Sequence, residues 1–217
     1  MPRPEPAHGG APFDALLCDF DGVLRQWDPD AMAALDRAAG LPEGALAATA
    51  FRPALLDAAV TGTISDEEWR TRVARELAGT CGAARADELV REWSAATGRV
   101  DTEVLALLTE LRRRVPVVLV SNATTRLEDD LRRLGLADAF DAVVNTARIG
   151  FAKPDPRVFA AAAGRVGADP RRCLFVDDTA GHVEAARAAG LMGHHYRHAD
   201  GLREVTAPLL DSPGPAV

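Results

Sequence analysis

The chain has 217 residues, enough for one large domain or a core with a modest insertion. Hydrophobic residues make up 47% of it, which supplies a packed interior and excludes general disorder. The formal net charge of -7 argues against nucleic-acid binding, because phosphate contacts need a basic face. No uninterrupted apolar stretch is long enough to span a bilayer, so no membrane partner is expected. Residues 1–10 lack an apolar signal-peptide core and read as a flexible tail, as do residues 211–217. Cys18, Cys81 and Cys173 are widely spaced and odd in number, which suits free thiols in the cytoplasm.

In chain order, Phe13 to Cys18 reads as a short buried strand. It delivers Asp19 and Asp21, one residue apart, to a turn loosened by Gly22. Ionised carboxylates taken out of water must be paired, hydrogen-bonded or bound to metal. Asp-x-Asp suits a hard cation such as Mg²⁺, or one nucleophile beside one proton-transfer partner. A strand-end turn with Asp caps is equally open from this segment alone.

After Asp28, strand-like runs vanish until Val115. Met32 to Ala39 and Pro53 to Val60 read as helices. Ser65-Asp66-Glu67-Glu68 is a capping box, with Ile64 and Trp69 as its hydrophobic staple. Trp69, Val73 and Leu77 mark one face of that helix, and Ala83 to Thr97 forms another, stopped by Gly98. Asp101 caps a helix bearing Val104, Leu108 and Leu111. Arg112-Arg113-Arg114 at its end reads as a solvated basic terminus. Then come a strand over residues 116–120, a helix over 124–134, a strand over 142–144 and a helix opened by Asp155-Pro156. A strand over 173–176, a helix over 183–189 and a strand over 191–196 complete the pattern. Apolar strands alternating with helices mean a parallel sheet covered on both faces. The expected fold is a doubly wound, Rossmann-like α/β core from residues 11–26 and 100–210. An all-helical insertion over residues 27–99 would lie above the carboxyl ends of the strands, where such folds bind ligands.

Those strand ends carry the chemistry. The first ends in Asp19 and Asp21, the next in Ser121-Asn122. The third is followed by Lys153-Pro154, and the fourth by Asp177-Asp178-Thr179. On one edge of a sheet they form a site for phosphate and Mg²⁺. Lys153 is the only lysine among 25 Lys+Arg residues. The chain uses arginine for every generic cation, yet here it places a compact ammonium, which a planar guanidinium does not replace.

Asp19-x-Asp21-Gly22-Val23, Ser121-Asn122, Lys153-Pro154-Asp155 and Asp177-Asp178, in that order, resemble the haloacid dehalogenase-like hydrolase superfamily over nearly the whole chain. The helical insertion resembles the C1-type cap of subfamily I, and the fourth motif its third variant. The resemblance implies a phosphatase using Mg²⁺ on a small phosphorylated substrate, as a monomer or homodimer. It implies that Asp19 is the nucleophile and forms an aspartyl-phosphate. Asp21 protonates the leaving group and then activates water, and its backbone carbonyl joins Asp19 and Asp178 around the metal. Ser121 holds the phosphoryl group, Lys153 neutralises Asp19 and the phosphate, and Asp177 is a neighbouring support or ligand. Mg²⁺ and Lys153 would reduce repulsion between a carboxylate and a phosphate dianion. Asn122 and nearby helix amides would add hydrogen bonds to the phosphate.

One position departs from the family. His182 stands where Asn or Asp is usual, and is read as supporting Asp178 or Lys153. His194-His195-Tyr196-Arg197-His198 lacks ligand spacing and reads as exposed loop rather than a metal site. In the insertion, Trp69 and Trp93 read as core, whereas Phe51 and Arg52 are candidates for touching substrate. A phosphosugar mutase shares both aspartates of the first motif. A 2-haloacid dehalogenase is disfavoured by Asp21, because halide needs no protonation. Phosphonate cleavage is disfavoured by an insertion without lysine, and a receiver domain by the presence of the insertion. A non-catalytic phosphate-binding module is disfavoured by the full set of charged residues.

Overall fold

The computed structural model describes residues 11–211; both proposed tails lie outside the described residues except Asp211, which caps the last helix. Strand β1 (Ala15–Cys18) is followed by β2 (Arg25–Gln26) and five helices: α1 (Ala31–Ala38), α2 (Ala45–Ala50), α3 (Pro53–Val60), α4 (Asp66–Cys81) and α5 (Ala83–Ala95). Then come β3 (Arg99–Val100), α6 (Thr102–Leu111), β4 (Val117–Ser121), α7 (Leu127–Arg133), β5 (Ala142–Asn145), α8 (Thr146–Ile149) and α9 (Pro156–Arg165). A 3-10 turn (Pro170–Arg172) leads to β6 (Cys173–Asp177), α10 (Ala180–Ala188), β7 (Met192–His195) and α11 (Ala199–Leu210).

The main sheet has the order β5-β4-β1-β6-β7, and every pairing in it is parallel. The chain runs outward from β1 through β4 to β5, then crosses to β6 and β7 on the other side. The order therefore reverses at β1, where the following loops part and open a crevice. Burial in the three central strands obeys a period of two. Leu16, Cys18, Val117, Leu119, Leu174 and Val176 face α6, α7 and α11. Ala15, Leu17, Val118, Val120, Cys173 and Phe175 face α9 and α10. Because both faces are covered, these strands are apolar throughout, as the sequence led us to expect. Phe159 and Phe175 meet edge to face with centroids 5.0 Å apart in the second layer. Phe159→Ala is expected to lower unfolding free energy by about 3–5 kcal/mol, read by urea denaturation.

The helices between β2 and β3 bury an interior of their own, built on Leu46, Trp69, Val73, Leu77, Ala86 and Leu89. Ser65 Oγ accepts the Glu68 N–H at 3.1 Å, so Ser65 caps the helix as the pattern demands, while the Glu68 carboxylate pairs with Arg72. Thr124 Oγ1 donates to Asp66 Oδ1 at 2.7 Å, and the Asp66 N–H donates to Thr125 Oγ1 at 3.0 Å. The start of α4 is thereby tied to the loop after β4.

Several elements escape the sequence pattern. The β2–β3 pair is antiparallel and two residues long, too short to show periodicity. Helix α2 is ALAATA, with little polar contrast between faces. Helix α11 contains Pro208, which reads as a breaker. Helix α7 starts at Leu127 rather than Thr124, because residues 122–126 form the loop that meets Asp66. His194 and His195 lie in β7, within the strand expected over residues 191–196 and not in the exposed loop also read there. Arg112 is not simply solvated: it donates to Asp141 Oδ1 at 3.1 Å and to the Asp138 carbonyl at 2.6 Å.

Candidate active site

The ladder register sets the site. Cys18 pairs with Leu119 and Val176, Ser121 with Asn145, and Asp177 with His195, so Asp19, Ser121 and Asp177 emerge on one edge. A cleft of about 480 Å³ opens there, lined by Asp19, Asp21, Ser121, Asn122, Lys153 and Asp178, among others.

Lys153 organises this edge from the loop after α8. It is buried, and its Nζ lies 2.8 Å from Asp19 Oδ1, 2.7 Å from Asp177 Oδ2 and 3.1 Å from the Val120 carbonyl. Burial works against the charged ammonium, but Asp19 and Asp177 more than offset it and raise the Lys153 pKa. Asp19 Oδ1 also accepts the Phe20 N–H at 2.7 Å, which leaves Oδ2 as the oxygen turned to other work. Burial pushes the Asp19 carboxyl up to about 7 against the pull of Lys153. Asp177 is fully buried, yet hydrogen bonds from His182 and the charge of Lys153 outweigh burial and bring it down to about 2. Asp178 is shifted upward by partial burial and by Asp177.

Asp19, Asp177 and Asp178 offer carboxylate oxygens all within 4.8 Å of one another. This is a hard, oxygen-only donor set of the kind Mg²⁺ takes. The upward shifts of Asp19 and Asp178 are those a divalent cation reverses. Gly22, at φ +81°, closes the floor: a Cβ there would fall 2.0 Å from Asp178 Oδ2. The residues present therefore fit a divalent cation.

Four sets of side chains have surroundings that the sequence did not disclose. The Asp21 carboxylate lies outside the three-acid group, which leaves untouched the contact expected of its backbone carbonyl. Its Oδ1 accepts from Arg25 Nε and from Trp27 Nε1, both at 2.6 Å, and its Oδ2 accepts from Arg25 Nη2 at 2.9 Å. Asn122 lines the cleft. It braces Lys153, donating Nδ2–H to the Lys153 carbonyl at 2.9 Å and accepting the Lys153 N–H at 2.8 Å. His182 supports neither Asp178 nor Lys153 directly; its Nδ1 lies 3.1 Å from both oxygens of Asp177. Phe51 and Arg52 do not line the cleft. Phe51 packs with Trp69 and Trp93, and Arg52 pairs with Glu76.

Ser121 lies in the cleft wall, as expected of a phosphoryl contact, at the last residue of β4. His195 Nε2 lies 2.8 Å from the Asp178 carbonyl and steadies that loop, while His198 caps α11. None of these histidines joins a metal-binding group among the described residues.

Arg25 is the participant that sequence reasoning missed. Its guanidinium is buried, holds Asp21 on two nitrogens and reaches Asp130 Oδ2 at 3.0 Å. One arginine among 24 carries no signal by type. Only its position in β2, four residues after Asp21, hints at the pairing.

A family model for haloacid dehalogenase-like hydrolases matches residues 13–190. Phosphatase MT3486 of Mycobacterium tuberculosis is 33% identical over 189 residues, covering 84% of this chain and 86% of that protein. A HAD-family enzyme of Bacteroides thetaiotaomicron, solved with magnesium and inorganic phosphate, superposes with TM-score 0.70 at 20% identity, covering 85% of this chain and 94% of that one. L-2-haloacid dehalogenase of Xanthobacter autotrophicus superposes with TM-score 0.63 at 22% identity, covering 91% and 84% respectively. The two structural likenesses show the shared fold. No helix among the described residues is long and apolar enough to cross a membrane. The match over residues 13–190, with a relative 33% identical across 84% of this chain and 86% of its own length, shows that this chain belongs to the haloacid dehalogenase-like hydrolase family.

Proposed function

We propose that the chain is a Mg²⁺-dependent phosphatase that hydrolyses a small-molecule phosphomonoester through an aspartyl-phosphate on Asp19. The observation that carries this reading is Lys153 Nζ, shared between Asp19 and Asp177 at 2.8 and 2.7 Å, beside the free Oδ2 of Asp19. The similarity to phosphatase MT3486 favours phosphate over halide. So does Asp21, since an alkoxide needs a proton on leaving and halide does not.

Asp19, Asp178 and the Asp21 backbone carbonyl would hold the metal, with Asp177 beside them. When bound, the cation supplies positive charge against the phosphoryl oxygens. The chain's own residues do the rest. Asp19 Oδ2 attacks phosphorus and the ester P–O bond breaks. The leaving oxygen takes a proton from Asp21. Lys153 and Ser121 hold the phosphoryl oxygens in place. Asp21 then removes a proton from water, the water oxygen bonds phosphorus, and the P–O bond to Asp19 breaks. Asp177, fixed by Lys153, the Thr179 N–H and His182, keeps the lysine aimed. The helices over residues 27–99 act as the cap that excludes water during these steps. Three free thiols suit a reducing compartment.

The test is phosphate release from a panel of phosphomonoesters with Mg²⁺, with EDTA, and by Asp19→Asn. Release that needs Mg²⁺ and Asp19 is expected. Equal, slow release by both proteins across the panel sinks the reading. Gly22→Ala should push Asp178 away and raise the Mg²⁺ concentration for half-maximal rate about 10–100-fold, the scale of disturbing the shell around a metal.

A further inference from the structure

Trp27 is 45% exposed and stands in the wall of the cleft. Phe51 is the other large apolar side chain so open among the described residues, and it belongs to the ring cluster of the helical insertion. Trp27 packs into no such cluster, yet its position is set. Its Nε1–H donates to Asp21 Oδ1 at 2.6 Å. Its ring lies on the guanidinium of Arg25, with Cζ 4.6 Å from the ring centroid. That guanidinium rests in turn on Phe20, 4.3 Å from its centroid. Arg25 and Phe20 are both buried, so the stack is anchored in the core and presents one ordered indole to the cleft.

The chemistry then places the substrate against this ring. The leaving oxygen must come within hydrogen-bond reach of the Asp21 carboxylate to take its proton. The indole N–H is already 2.6 Å from that carboxylate. Whatever is bonded to the leaving oxygen therefore lies beside the indole. An aromatic held in advance by a hydrogen bond and a stack loses little conformational freedom when a ligand covers it. Flat rings recover the most from such a surface, through offset or edge-to-face contact.

We propose that Trp27 is a substrate-contacting platform that selects phosphomonoesters whose leaving group carries a flat ring one or two bonds from the ester oxygen. The proposal rests on the phosphatase reading above and adds the class of leaving group. It also gives the indole two separable jobs: the ring face binds the leaving group, and the N–H orients Asp21.

Two variants separate these jobs. Trp27→Phe keeps a ring and removes the N–H; Trp27→Leu removes both. Steady-state kinetics on benzyl phosphate and n-butyl phosphate compare a ring with a chain at similar leaving-group basicity. Trp27→Leu is expected to raise KM for benzyl phosphate about five- to tenfold and for butyl phosphate less than about twofold. Trp27→Phe should hold KM for benzyl phosphate near wild type. Both variants should lower kcat on the two esters alike, since both lose the hydrogen bond to Asp21. A KM that rises equally on both esters, or on neither, overturns the platform while leaving the phosphatase reading intact. A wild-type protein that turns over other phosphomonoesters of the panel but not benzyl phosphate overturns the platform alone, and one that releases phosphate from no ester of the panel overturns both. Circular dichroism confirms that each variant is folded before its kinetics are read.

Discussion

Replacing Asp19 by Asn is expected to lower kcat about 10⁴-fold or more, the scale seen when a nucleophile is removed from a site that otherwise stays assembled. The loss should fall on kcat, because Ser121, Lys153 and the metal ligands that remain still gather the phosphoryl group. Stability should move the other way. The wild-type pocket buries two carboxylates against one ammonium, and burial already works against ionisation of Asp19. The Asn variant leaves Lys153 and Asp177 as a balanced pair. In metal-free buffer it should be about 0.5–2 kcal/mol more stable than wild type, the usual gain when a strained functional group is relieved. Adding Mg²⁺ should raise the melting temperature of wild type more than that of the variant, because the cation offsets the charge that the variant lacks. Calorimetry with and without Mg²⁺, beside phosphate-release assays, reads both halves. Activity within tenfold of wild type would remove Asp19 as the nucleophile.

Lys153 carries the second large effect. Lys153→Met keeps the length of the stem and removes the charge. It leaves Asp19 and Asp177 facing each other in a buried pocket, so a loss of about 3–5 kcal/mol is expected, the cost of breaking a buried ion pair from one side. A fall in kcat of about 10²–10³ should accompany it, as when one donor to a transition-state oxygen is removed. Lys153→Arg is expected to fail as well. The ammonium meets Asp19, Asp177 and the Val120 carbonyl from three directions. A planar fork cannot direct its donors around one point in that way. Urea denaturation and phosphate release on both variants check this. Near-normal activity of the Arg variant would mean that only the charge matters at this position.

Much of the fold was legible because its signals are local. Uniformly apolar strands mark a doubly covered parallel sheet, and the capping boxes and Asp-Pro starts mark helices. The N-cap at Ser65 forms as read, with α4 running Asp66–Cys81. Elements with weak local signals were not legible. The two-residue strands β2 and β3 owe their form to pairing across a separation of more than seventy residues, which no window reveals. Helix α11 runs through Pro208 because its apolar face, with Leu202 and Leu209, is buried against the sheet.

The site divides along the same line. The residue types at the strand ends were visible in the sequence, and the structure gathers Asp19, Asp21, Ser121, Lys153 and Asp178 around one cleft. Their partners were not visible. Asn122 braces the Lys153 backbone, and His182 meets both oxygens of Asp177. Arg25 holds Asp21, and Trp27 closes the stack above it.

The sequence by itself determined which chemical groups the chain owns and that they sit at the ends of buried strands, because burial period and turn chemistry are written in neighbouring residues. Tertiary structure alone decided which carboxylates lie within reach of one another, which one faces an arginine and which ring stands in the cleft wall. Those choices depend on strand order and register, which bring together residues as distant as Asp19 and Asp177 and turn each side chain toward one neighbour rather than another.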